Sequence, residues 1–175
     1  LDGTGSVIVV WMDSRAGYTE IYAQKIDTAG NVYWPADGIN VCPGPSSISG
    51  EVRAVPDGAG GVFVTWSDYR NGSYDIFAQR VDGNGALVWG DAGMPVCTYA
   101  GDQYAQEMAS DHAGGAIIVW QDYRVANEIY AQRIDADGDL LWNPDAVPVS
   151  TAGGYGYDVR IVTNAAGEPY IAWVD

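Results

Sequence analysis

Apolar and polar positions alternate in short runs along this chain, and no stretch sustains a 3.6-residue apolar period. Residues 7–11, 62–66, 116–120 and 169–173 are rich in β-branched and aromatic side chains and each closes on a tryptophan, the composition of strands. A second kind of run, residues 75–81 and its equivalents, places Ile76, Ala78 and Arg80 on one face and Phe77, Gln79 and Val81 on the other. A third, residues 51–55, 105–109 and 158–162, precedes the tryptophan runs, and a fourth extends from about residue 87 to 96. Asp27-Thr28-Ala29-Gly30, Asp82-Gly83-Asn84-Gly85 and Asp135-Ala136-Asp137-Gly138 read as hairpin turns. The aspartate accepts local backbone N–H bonds, and the glycine supplies the positive φ that closes the loop. The pattern predicts strands joined by hairpins and essentially no helix.

These runs recur. Trp11, Trp66, Trp120 and Trp173 stand 55, 54 and 53 residues apart. The first three open one phrase: Trp11-x-Asp13-x-Arg15 leads to Tyr22-Ala23-Gln24-Lys25, Trp66-x-Asp68-x-Arg70 to Phe77-Ala78-Gln79-Arg80, and Trp120-x-Asp122-x-Arg124 to Tyr130-Ala131-Gln132-Arg133. A second tryptophan follows in each, at Trp34, Trp89 and Trp142. One repeat domain over 1–175 is implied, with units at approximately 1–50, 51–104, 105–157 and a partial 158–175. Four antiparallel strands per unit without helices describe a β-propeller blade. The expected fold is therefore all-β: a β-propeller-like array of about three four-stranded antiparallel blades, repeating every 53–55 residues and open at both ends. Closed propellers need roughly 4–8 blades, so exposed blade edges are expected, completed by other copies or by further repeats of a longer chain.

The unit resembles the tandem Trp-x-Asp-x-Arg … Tyr-Ala-Gln-Arg-Val-Asp-x-x-Gly repeats of large secreted bacterial proteins, which are read as propeller-like. That resemblance covers the whole chain and implies an extracellular or cell-surface location. The Gly-His … Trp-Asp pair of WD40 repeats and the Ser-x-Asp-x-Gly-x-Thr-Trp box of sialidases are both absent.

Composition narrows the partners. Eight Lys+Arg against 23 Asp+Glu give a formal net charge of -15, which repels phosphate backbones and anionic lipid heads and excludes nucleic acid and membrane surfaces. With 47% hydrophobic and only 18% charged residues, the chain is not an acidic disordered tail. No apolar run approaches the ~20 residues of a membrane span.

The repeated charged set Asp13, Arg15, Glu20; Asp68, Arg70, Asp75; Asp122, Arg124, Glu128 reads as a structural ion-pair ladder rather than a ligand-gripping ring, because stacked units repeat the residues that build them. The tryptophans follow the same logic. Asp135, Asp137 and Asp139 open like a calcium loop but lack its distal bidentate glutamate, which leaves calcium and a plain hairpin turn both open. The unit-to-unit connections are where the repeats diverge; Tyr99, Asp102, Tyr104, Tyr155 and Tyr157 there suit a carbohydrate or a protein surface. Asn71-Gly72-Ser73 is a glycosylation sequon.

Catalytic residues are not found. The one histidine, His112, falls in a turn, and Cys42 and Cys97 occupy one repeat position, whose spacing between neighbouring blades usually exceeds the ~5.5–6 Å Cα separation of a disulfide and leaves free thiols or a bond between copies. The sequence therefore reads as a non-catalytic extracellular scaffold or recognition module. A carbohydrate-binding propeller module is the first alternative, and a glycoside hydrolase fragment the second.

Overall fold

A computed structural model describes residues 5–151 and 155–175. Among these residues there is no helix, and thirteen strands form four antiparallel sheets. The first holds β1 (Val7–Asp13), β2 (Glu20–Ile26) and β3 (Ile39–Asn40). The second holds β4 (Ile48–Pro56), β5 (Val62–Asp68), β6 (Asp75–Val81) and β7 (Met94–Cys97). The third repeats it with β8 (Gln103–Ser110), β9 (Ala116–Asp122), β10 (Glu128–Ile134) and β11 (Val147–Pro148). The fourth is the pair β12 (Tyr157–Thr163) and β13 (Pro169–Val174). Every sheet is a meander in chain order, and none closes on itself.

The expected fourth strand is much shorter than residues 87–96. Leu87 makes only an isolated bridge to Val81, and regular pairing resumes at β7. Its counterparts β3 and β11 have two residues each. The interruption is imposed from the neighbouring strand: the Gln79 side chain takes over the backbone pairing, donating to the Gly90 carbonyl at 2.6 Å and accepting from the Trp89 N–H at 3.0 Å. Gln24 and Gln132 do the same at Pro35 and Trp34, and at Asn143 and Trp142.

Alternation along each strand builds three cores, one between each pair of successive sheets. Val62, Val64 and Trp66 of β5 face the first sheet, against Ile21, Ala23 and Val41. The intervening Phe63, with Ile76 and Ala78, faces the third sheet and meets Ile118 and Trp120. Val119, Ile129 and Ala131 in turn face β12 and β13 through Val159, Ile171 and Trp173. Because both faces of the inner sheets are covered, all seven residues of β5 and of β9 are buried.

The tryptophan phrase is the internal brace of each sheet. The Trp66 indole N–H donates to Asp68 Oδ2 at 3.1 Å, and Arg70 Nη2 donates to the same oxygen at 2.5 Å. Arg70 Nη1 reaches the Ala92 carbonyl at 3.0 Å, while its guanidinium carbon lies 4.0 Å from the centre of the Phe77 ring. Trp120, Asp122, Arg124 and Tyr130 repeat this arrangement, with Arg124 Nη1 on the Asp145 carbonyl at 2.9 Å. Trp11, Asp13, Arg15 and Tyr22 do so again, the Arg15–Asp13 pair being the most exposed of the three. The third acid of each set stands apart from this brace: Glu20 accepts from Asn40 and Tyr22, Asp75 from Asn71 and Ser73, and Glu128 from Tyr130.

Candidate functional site

A cleft of about 640 Å³ lies where β4, β8 and β12, the leading strands of three successive sheets, come together. Its wall carries a continuous row of alternating charges. Arg53 pairs with Glu51 on its own strand and grips Glu107 of the next sheet through Nε at 2.9 Å and Nη2 at 3.1 Å. Arg160 of the following sheet reaches Glu107 at 3.3 Å and Asp158 at 2.6 Å. The row therefore reads Glu51–Arg53–Glu107–Arg160–Asp158 across three sheets. Hydrogen bonds from Arg53 first, and then its positive charge, hold the Glu51 carboxyl below its ordinary value.

The leading strands are not regular. In each, pairing with the neighbouring strand shifts just before the charged position, between Ser49 and Arg53, Tyr104 and Glu107, and Tyr157 and Arg160. The shift is accompanied by left-handed backbone at Gly50, Ala105 and Asp158, with φ of 76°, 52° and 53°. Two of these carry a β-carbon, which makes the conformation costly. Such bulges re-aim side chains, and here they turn the charged row into the cleft. Gln106 stands where the flanking repeats have Val52 and Val159. Its buried amide accepts from Ser67 Oγ at 2.7 Å and donates to the Glu51 carbonyl at 2.7 Å, which stitches β8 to β4 and β5.

Tyrosines bound one side. Tyr104 stacks on Tyr123 with ring centres 5.2 Å apart, meets Tyr74 edge-on, and Tyr74 in turn meets Tyr69. Burial, and then its hydrogen bond to Tyr123, push the Tyr104 phenol up to about 12. The loops between the second and third strands thus share one rim with the connections between sheets.

This geometry divides the tyrosines expected to bind a ligand. Tyr104 and Tyr157 line the large cleft. Tyr99 does not; its ring lies 4.3 Å from the Arg124 guanidinium, on the wall of a separate hollow of about 270 Å³. Asp102 is spent on the backbone, accepting from the Tyr74 N–H at 3.1 Å. Tyr155 is highly exposed and outside the cleft wall; residues 152–154 of its loop lie outside the described residues, as do residues 1–4 of the first turn. The Asn71 side-chain amide donates to Asp75 at 2.7 Å.

Asp135 turns its carboxylate onto its own turn, accepting from the Asp137 and Asp139 N–H groups at 3.0 and 2.9 Å, as Asp27 and Asp82 do in theirs. Asp137 and Asp139 point to solvent, and among the described residues no three His, Cys, Asp or Glu side chains gather into a group that could hold a metal. These backbone N–H bonds brace the loop from within. Cys42 and Cys97 are buried free thiols beside the Arg70 and Arg124 guanidiniums, and burial pushes the Cys97 thiol up to about 11.

The charged row escaped the sequence reading because that reading followed what the repeats share. The available signal was the opposite one: at one repeat position the side chain changes from Arg53 to Glu107 to Arg160.

Comparison with protein family models and with curated proteins finds no match. Among solved structures, the chain is similar in fold to an endo-arabinase from Bacteroides thetaiotaomicron VPI-5482, with a TM-score of 0.53 at 14% identity. The alignment covers 97% of this chain and 66% of the enzyme, slightly under two thirds of its length.

Proposed function

We propose that the chain is a non-catalytic, extracellular, propeller-type repeat scaffold, each sheet a blade, which assembles with other copies or further repeats through its two outer sheets. The observation that carries this reading is a match of faces. Val7 and Val9 of β1 occupy the positions of Val62 and Val64, which inner sheets bury against their predecessor, yet they are 44% and 43% exposed. At the other end Tyr170 of β13 occupies the position of Phe63, which faces the following sheet, and it is 60% exposed. One outer sheet thus presents the face that the other lacks, which is the geometry of a heterologous head-to-tail contact. The repeated aspartates and arginines support a structural role, since each Asp–Arg pair closes within its own sheet. Light scattering after gel filtration tests the assembly. Concentration-dependent growth that Val9→Asp and Tyr170→Asp each abolish is expected, and a monomer at every concentration would remove the self-assembly part of the reading.

A second reading, carbohydrate recognition, is favoured by Tyr104 and Tyr157 sharing one polar cleft. A solved structure of similar fold is that of an endo-arabinase.

A further inference from the structure

The cleft between β4, β8 and β12 is built differently from the rest of the array. Elsewhere the ion pairs that recur from unit to unit close inside one sheet. Here equivalent positions carry opposite charges, and the contacts run between sheets. We propose that this cleft is a binding site for a neutral polyhydroxylated ligand, a saccharide unit of a short oligosaccharide, held by the outer groups of the charged row against the tyrosine rim. The inference rests on the recognition reading above and names the ligand class and the groups that would hold it.

Charge balance selects the ligand class. Three carboxylates and two guanidiniums leave the wall close to neutral, and every carboxylate already engages an arginine. A divalent cation needs several carboxylate or carbonyl oxygens converging without such competition. An anion must approach a protein of net charge -15. A hydroxyl group needs neither, because it donates one hydrogen bond and accepts others. A row of alternating acceptors and donors therefore matches adjacent hydroxyls on a ring.

Rigidity selects the place. The centre of the row is fixed: the Glu107 side chain is 16% exposed and held by two arginines. The ends are open, with Glu51 77%, Arg160 61% and Asp158 57% exposed, so their remaining lone pairs and N–H groups face the cleft. A fixed centre lowers the ordering cost of binding, and open ends supply the bonds. Tyr157, half exposed on the same wall, offers a ring face for the C–H side of a sugar. The volume is that of a small-molecule site rather than a packing defect.

The test is titration calorimetry of the whole chain with xylo-, cello-, manno- and galacto-oligosaccharides, and then of variants with the tightest of these. Tyr157→Ala and Asp158→Asn alter exposed groups, and asparagine tolerates the left-handed backbone at 158. Each should weaken binding about ten-fold, the effect of one lost ring contact or charge-assisted hydrogen bond, with the melting temperature unchanged. Val162→Asp, on the outer sheet face, should leave binding as it was. Binding that survives both cleft variants overturns the cleft assignment while carbohydrate recognition stands. No binding of any of these sugars by the unaltered chain overturns both.

Discussion

The indole of Trp66 lies so close over Gly93 that a β-carbon at residue 93 would stand 2.6 Å from its Cη2 and 2.7 Å from the Ala78 carbonyl oxygen. Gly38 lies under Trp11 in the same way, whereas the third unit places Ala146, at φ 68°, in that position near Trp120. Gly93→Ala should therefore destabilise the fold by about 1–3 kcal/mol, combining left-handed strain with overpacking. Ala146→Gly should cost far less, because it relieves the same strain. Chemical denaturation of the two variants side by side checks the asymmetry.

Arg124 is the most enclosed brace. Its Nε and Nη2 meet both oxygens of the fully buried Asp122, and its guanidinium lies between the rings of Tyr130 and Tyr99. Lysine keeps the charge but loses the planar fork and the double stacking. Arg124→Lys should cost about 2–4 kcal/mol, read as a lower denaturation midpoint. Arg15→Lys, at the exposed counterpart, should leave the denaturation midpoint nearly unchanged.

Acid should unfold the array through its braces. Burial alone would raise the Asp68 carboxyl, but hydrogen bonds from Arg70, the Ser47 N–H and Trp66 outweigh it and hold the group below its ordinary value. The Asp111 carboxyl is depressed in the same manner, with burial opposed by the Ala113 and Gly115 N–H groups and by Arg133. A depressed carboxyl stabilises the fold above its unfolded value and loses that contribution as pH falls through the folded one. The melting temperature should thus fall steeply below the ordinary aspartate range near 3.8, and Asp68→Asn should flatten that slope while lowering stability at neutral pH.

The Asp-x-x-Gly turns should behave as turns. Asp135→Ala removes the acceptor for two backbone N–H groups and should cost about 1–2 kcal/mol. A chelator should leave the melting temperature of the unaltered chain unchanged; a fall would restore a cation to the loop.

The strands and the brace were legible because they repeat. Trp66, Asp68, Arg70 and Gln79 recur at fixed spacing, and a residue that recurs in every unit is one that every unit needs for its own packing. The short fourth strand was hidden, since residues 87–96 are apolar enough for a strand and only the Gln79 amide reveals that side chain replaces backbone in the pairing. Tyr99 and Tyr104 looked alike in the sequence. Folding sends one onto Arg124 and the other to the cleft, through a register shift after Tyr104 that no local pattern announces.

The second tryptophan of each unit does not stay within it. Trp34 Nε1 points to the Gly83 carbonyl at 3.5 Å and Trp89 Nε1 to the Ala136 carbonyl at 3.3 Å, so the Asp82–Gly85 and Asp135–Gly138 turns are sockets for the preceding sheet. Gly85 and Gly138 lie directly beneath these indoles, and Arg80 adds a bond to the Ala136 carbonyl at 3.3 Å. One rim of the array is therefore mechanically geared, tooth to tooth, and an inserted residue there would throw two sheets out of mesh. The opposite rim, where connections between sheets differ in sequence from one to the next, is joined by contacts particular to one pair of sheets, such as the Gln103 N–H on the Tyr74 carbonyl. The two rims thus divide the labour: one keeps the sheets in mesh, and the other is free to differ from one connection to the next.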